Sequence, residues 1–166
     1  MTTPTVISRL EHGDLDEVLV IERAQFDDPW SLQVLRDEVD DSSRRYTKAT
    51  VDGAVVGYLG LMVLDSESEA HVNTIATTPI AEGTGVATAL LVEALRAVVT
   101  LGVRDVTLEV ASRNLRAQRL YTRFGFAPVG VRRGYYPRSG DDALVMWVRD
   151  VHTPSYAARL SAIEGA

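Results

Sequence analysis

The 166-residue sequence contains no cysteine, which excludes disulfides, thiolate metal sites and a cysteine nucleophile. Its three histidines, His12, His71 and His152, are dispersed without metal-ligand spacing, so no metal is expected. Long apolar runs are missing as well. The longest mainly apolar stretch, 54–64, is interrupted by glycine and falls far short of the roughly 20 residues a membrane-spanning helix needs. Residues Met1 to Thr5 show no basic segment followed by an apolar core, so no secretory signal is read and a cytoplasmic location is expected. Positive charge is scarce: 17 Lys and Arg against 23 Asp and Glu leave a net charge of −6. That balance argues against broad binding to nucleic acid, and no direct nucleic-acid or membrane partner is expected.

What remains is an ordinary globular composition, 46% apolar and 24% charged, long enough for one domain with a substantial core. Residues 1–150 read as that domain and 151–166 as a tail, where Tyr156, Leu160 and Ile163 leave room for a short helix. Thr5 to Leu10 alternates and reads as a first strand. Asp14, with Glu17 three residues on, predicts a capped helix bearing Leu15, Val18, Leu19, Ile21, Glu22 and Phe26. Ser31 caps a second helix carrying Leu32, Leu35 and Val39. Strands are expected over 44–51 and 54–64, joined by Asp52-Gly53, a dipeptide suited to two-residue hairpins because both positions tolerate positive φ.

A polar connection over 65–69 leads to a strand over 70–77 and an apolar helix over 86–101, stopped by Gly102. A strand over 105–110, a helix over 114–124 and strands over 129–136 and 143–148 complete the order β-α-α-β-β-β-α-β-α-β-β. Only the strand–helix–strand segments demand parallel neighbours. An α/β fold with a mixed, mostly antiparallel central sheet and helices on both faces is therefore expected.

Two segments carry chemistry. Between the strand ending near Thr77 and the apolar helix lies Glu82-Gly83-Thr84-Gly85-Val86-Ala87, a loop of small residues at a helix start, where free amides favour an anion. Alone the pattern is weak, and a helix entry that happens to need glycine explains it equally. It lacks the third glycine of a dinucleotide-binding fingerprint and the Lys-Ser/Thr pair of a P-loop. Downstream, Glu109 shares a strand face with Thr107 and Ala111, a poor place for a carboxylate without a task or an ion-pair partner. Tyr121 lies twelve residues later in a helix, where a core aromatic beside Ala117, Leu120 and Phe124 is the plain alternative.

Together, Ile75–Leu91 and the series Glu109, Asn114, Tyr121, Gly125-Phe126 resemble the two motifs of the GNAT superfamily of N-acetyltransferases. Leu108-Glu109-Val110, the Asn five residues after that Glu and the closing Gly-Phe are most similar to its RimI group. So are Asp28-Pro29-Trp30 and the stretch from Arg132 to Pro137. The resemblance implies acetyl-CoA as co-substrate. It implies as acceptor the N-terminal amine, typically alanine, of a small-subunit ribosomal protein, and a monomer or weak dimer. It implies a general base at Glu109, with its pKa raised by burial, and a general acid at Tyr121. Cofactor contacts are implied at Ile75, Ala76, Thr77, Gly83, Thr84, Gly85, Val86, Ala87, Thr88 and Asn114, although Asn114 is also a good helix cap. The usual motif has Gln or Arg where this chain has Glu82, and a neighbouring Arg where it has Gly83. This predicts either weaker cofactor binding or a Glu82 turned away.

Trp30, Tyr135 and Tyr136 are expected at the acceptor site, with Asp27 and Asp28 drawing in a cation; a solvated hairpin is the alternative for the tyrosines. His71 reads as a polar strand position, with a second base as the other reading. Rival functions are acetylation of lysine side chains or small amines, or a catalytically silent acetyl-CoA-binding partner subunit.

Overall fold

The computed structural model describes residues 3–64 and 68–166. Seven strands form one sheet: β1 (Val6–Arg9), β2 (Arg44–Val51), β3 (Ala54–Leu64), β4 (Glu69–Thr77), β5 (Asp105–Ala111), β6 (Ala127–Arg132) and β7 (Ala143–Val148). The helices are α1 (Leu15–Gln25), α2 (Leu32–Asp40), α3 (Val86–Thr100), α4 (Leu115–Arg123) and α5 (Pro154–Glu164). Sheet order is β1-β2-β3-β4-β5-β7-β6, and only β4 and β5 are parallel neighbours. The unit β5–α4–β6 also returns parallel, but β7 slots between its two strands. The mixed, mostly antiparallel α/β architecture is the expected one.

Two cores fill the two faces. Leu15, Val18 and Ile21 of α1 and Leu35 of α2 pack with Leu10, Tyr58 and Ala76. On the other face α3 contributes Leu90, Leu91, Leu95 and Val98, beside Val106, Leu108 and Val110 of β5. α5 adds Tyr156 and Leu160 to this second core, and the Tyr156 hydroxyl donates to Phe124 O at 2.7 Å. Burying large apolar side chains on both faces, each contributing about 1.5–3 kcal/mol, is what fixes the sheet between its helices.

Several local expectations are met. Asp52 and Gly53 take φ of 51° and 79° at the β2–β3 turn, and the Ser31 side chain accepts from Val34 N at 3.2 Å. Others are corrected. Asp14 does not cap α1 with its side chain; it accepts from Glu11 N at 2.8 Å and pairs with Lys48 Nζ at 2.7 Å. Glu17, free of any capping task, accepts instead from Val55 N at 2.9 Å. The strand expected over 129–136 runs from Ala127 to Arg132, because Gly134 turns the chain at φ 60° and donates its N–H to Asp142 at 2.8 Å. The connection expected over 65–69 lies partly outside the described residues, and Glu69 already belongs to β4.

Candidate active site

The site is made by two strands that part. β4 and β5 pair only from Glu69 to Val72 and from Asp105 to Leu108. Beyond Val72 an extra residue, Asn73, bulges out of β4 opposite Gly60 and Leu61. A one-residue insertion inverts the alternation of side chains. Hence Ala70 and Val72 enter the α3-side core, whereas Ala76, an even number of residues on, enters the α1-side core. Thr78 N donates to Val56 O at 2.8 Å, so by the antiparallel alternation the main chain of Ala76 faces β3. The main-chain groups of Ile75 and Thr77 face the gap. The buried Thr78 hydroxyl nearby has no hydrogen-bond partner among the described residues.

At the head of the gap the glycine loop enters α3. Gly83 and Gly85 take φ of 73° and 89°, left-handed values that a side chain would strain. Val86 anchors the helix start so tightly on β3 that a Cβ on Gly57 would lie 2.9 Å from its Cγ1. Ala89 N is the first amide bonded back along the turn, to Gly85 O at 3.0 Å, leaving those of Val86, Ala87 and Thr88 without intrahelical partners. The Thr84 hydroxyl is spent on Ala81 O. Asn114 uses its side-chain oxygen to cap α4 through Ala117 N at 3.1 Å, which leaves its amide NH2 for a ligand. Thr77 O accepts from Gln25 Nε2 at 2.8 Å, while the other main-chain groups facing the gap and the orphan amides at its head remain available to an extended ligand that carries an anionic group.

Glu82 bonds to side chains from two other elements. Its Oε2 pairs with Arg116 Nη1 at 2.9 Å and its Oε1 accepts from Gln25 Nε2 at 2.8 Å. The acidic residue at this motif position is therefore held by two partners.

Across the gap, Glu109 contacts His71 Nε2 through Oε2 and Arg132 Nη2 through Oε1 at 3.5 Å. The contact follows from register. His71 pairs with Thr107 across the parallel ladder, and Glu109 is two residues further along the same face. The carboxylate is only 9% exposed. Asn73 Oδ1, from the bulge, lies 2.6 Å from His71 Nδ1. With Glu109 ionised on one side and an amide oxygen on the other, both ring nitrogens are held as donors. The carboxylate hydrogen bond raises the His71 pKa, with burial opposing it. The same bond, outweighing burial, lowers that of Glu109. This corrects the expectation of a carboxyl raised by burial: the imidazole takes up the shift. It also corrects the reading of His71 as a mere polar strand residue.

Tyr121 is buried, edge-on to Phe126 at 5.9 Å, and its phenol makes no hydrogen bond among the described residues. Burial, with the Tyr136 phenol nearby, raises its pKa, so it stays protonated. Burial, followed by the charges of Tyr135, Glu109 and Asp141, pushes Tyr136 up to about 12. Tyr136 thus sits within electrostatic reach of both Glu109 and Tyr121, while Tyr135, edge-on to it at 5.1 Å, is exposed. Trp30 packs against the α1-side core, and its main-chain N–H donates to the buried Glu22 Oε2 at 3.0 Å. The two loops expected to wall the acceptor site meet: Arg138 donates to Asp27 O at 3.0 Å and pairs with Asp28 at 3.5 Å. Asp28 is therefore already paired with a cation.

Comparison with known proteins agrees with this geometry. The Acetyltransferase (GNAT) family model matches residues 15–126. The N-alpha-acetyltransferase RimI of Mycobacterium tuberculosis is 37% identical over 158 residues, 93% of this chain and 98% of that protein. The ribosomal protein bS18-alanine N-acetyltransferase of Escherichia coli is 32% identical over 145 residues, 84% of this chain and 94% of that one. The crystal structure of the Escherichia coli enzyme superposes with a TM-score of 0.81 at 29% identity, covering 89% of this chain and 94% of that one. With the parted strands, the glycine loop and a family match over most of its length, the chain belongs to the GNAT family of acetyl-CoA-dependent N-acetyltransferases.

Proposed function

We propose that this chain transfers the acetyl group of acetyl-CoA to the N-terminal alanine of the small-subunit ribosomal protein bS18. The observation that carries the chemistry is the shielded His71–Glu109 pair beside the gap. An ammonium must lose a proton before its nitrogen attacks a thioester. Within the pair the proton resides on His71, not on Glu109. Once that proton has left, the carboxylate–imidazole unit accepts one from the substrate with the raised pKa of the imidazole, not the low pKa of the carboxylate.

An α-ammonium, with a pKa of about 7.7–8.0, yields its proton to this base more readily than a lysine ammonium at about 10.4. This difference favours N-terminal amines over lysine side chains, in keeping with the activities named for the relatives. Acetyl-CoA supplies the thioester. As the N–C bond forms and the C–S bond breaks, Tyr121 holds the O–H that delivers a proton to the sulfur. Asn114 and the amides from Gly83 to Thr88 bind the co-substrate, with the main chain of Ile75 and Thr77 along its arm. Ala76 contributes through its place in the strand, since its own main chain pairs with β3. Trp30, Tyr135 and Tyr136 receive the peptide between the loops joined by Arg138.

A ribosomal acceptor is in keeping with action in the cytoplasm, and the proposed enzyme works as a monomer or weak dimer on a protein end. Among the described residues no helix is long and apolar enough to cross a membrane. Turnover of acetyl-CoA with an alanine-initiated bS18 peptide, an N-terminally blocked lysine peptide and spermidine tests the reading. The first is expected to exceed the others by at least about a hundredfold in kcat/KM, a difference of roughly 2.7 kcal/mol. Equal use of the blocked lysine peptide would remove the N-terminal assignment.

A further inference from the structure

The acidic first position of the glycine loop poses a physical problem. A loop that takes phosphates gains from a cation at its rim, yet here the rim residue is Glu82 and the next position is Gly83. The structure brings a cation from another element. Arg116, in the first turn of α4, reaches across so that its Nη1 meets Glu82 Oε2 at 2.9 Å. Its Nη2 lies 3.3 Å from where a Cβ on Gly83 would stand. The absent side chain at 83 is thus what makes room for the guanidinium above the loop.

Glu82 is itself aimed. Gln25 Nε2 donates to its other carboxylate oxygen at 2.8 Å and also to Thr77 O at 2.8 Å. The carboxylate is shared between an amide donor and a guanidinium. Arg116 offers five N–H donors in a fixed fork, and only one of its nitrogens is engaged by Glu82. The side chain is 58% exposed, so its other donors remain open to an arriving ligand.

We propose that Arg116 binds the pyrophosphate of acetyl-CoA in this chain, bracketed over Gly83 by Glu82 and Gln25. It replaces from α4 the cation that the loop itself lacks. The proposal rests on the acetyl-CoA reading of the loop and assigns to Glu82 the aiming of Arg116, not the repulsion of the co-substrate.

Calorimetric titration with CoA, which involves no turnover, tests it. Arg116→Ala is expected to weaken CoA binding about tenfold, the loss of one charge-assisted contact, and Arg116→Lys to recover part of that loss. Dephospho-CoA, which keeps the pyrophosphate but lacks the 3′-phosphate, is expected to show the same tenfold penalty. Pantetheine, which has no phosphate, is expected to bind wild type and Arg116→Ala equally. The proposal is overturned if Arg116→Ala binds CoA within twofold of wild type, or if pantetheine weakens in parallel. It is also overturned if the penalty vanishes with dephospho-CoA, which would move Arg116 to the 3′-phosphate. Wild type binding CoA no better than pantetheine would instead sink the reading of the loop as a phosphate site, and Arg116 with it.

Discussion

Two cation–carboxylate pairs flank the parted strands, and they differ in almost every physical respect. His71–Glu109 joins two strands deep in the sheet, with side chains 23% and 9% exposed; Glu82–Arg116 joins a loop to a helix start, at 39% and 58%. In the first pair, shielding strengthens the hydrogen bond until it shifts both partners, and a group able to exchange protons results. In the second, water screens the charges, and the pair serves to place a guanidinium. On the proposed assignments, one architecture separates proton transfer from anion binding by depth, using similar components.

The sharpest way to break the first half of that comparison is Glu109→Gln. It keeps the side chain's shape and removes the charge that raises His71, and kcat is expected to fall about 10²–10⁴-fold. Tyr121→Phe removes a hydroxyl that makes no hydrogen bond among the described residues, so a fall in kcat of about 10²-fold is expected with no loss of fold by circular dichroism. Rates unchanged in either variant would take that residue out of the mechanism.

A smaller effect separates the pairs by stability. Double-mutant cycles are expected to give a coupling above about 1 kcal/mol for His71 with Glu109 and below about 1 kcal/mol for Arg116 with Glu82. The first coupling has a pH window. Glu109, lowered from 4.5, stabilises above that value and loses its contribution as pH falls through its folded pKa. His71, raised from 6.5, stabilises fully below that value and loses its contribution as pH rises through its folded pKa. The coupling measured by chemical denaturation is therefore expected to be full between pH 4.5 and 6.5 and to decline on either side. A flat profile would contradict the ion pair.

Much of the frame was legible in the sequence because it depends on local rules. Asp52-Gly53, the Ser31 cap and the apolar face of α3 each announce their element within a few residues. Glu109, Asn114 and Tyr121 were singled out by the family resemblance, whose motif lies in one short strand–helix unit. The bulge at Asn73 leaves no such mark, since the alternation of β4 runs unbroken on both sides of it. His71 is 38 residues from Glu109, and only the parallel register brings them together. Arg116 is likewise 34 residues from Glu82, so the cation missing from the loop looked like a loss when it had moved. Asp14 had every feature of a cap and was drawn off by Lys48, a tertiary partner that overrides local preference.

The most direct test is the pH dependence of kcat for the alanine-initiated bS18 peptide, in wild type and in His71→Gln. This quantity reports ionisations within the enzyme–substrate complex. If the carboxylate–imidazole pair is the base, the wild-type rate rises with pH through a limb above 6.5. In His71→Gln that limb moves down into the carboxylate range and the plateau falls. A limb left in place by the substitution would show that the proton goes elsewhere, and the account of the pair as the base would be wrong.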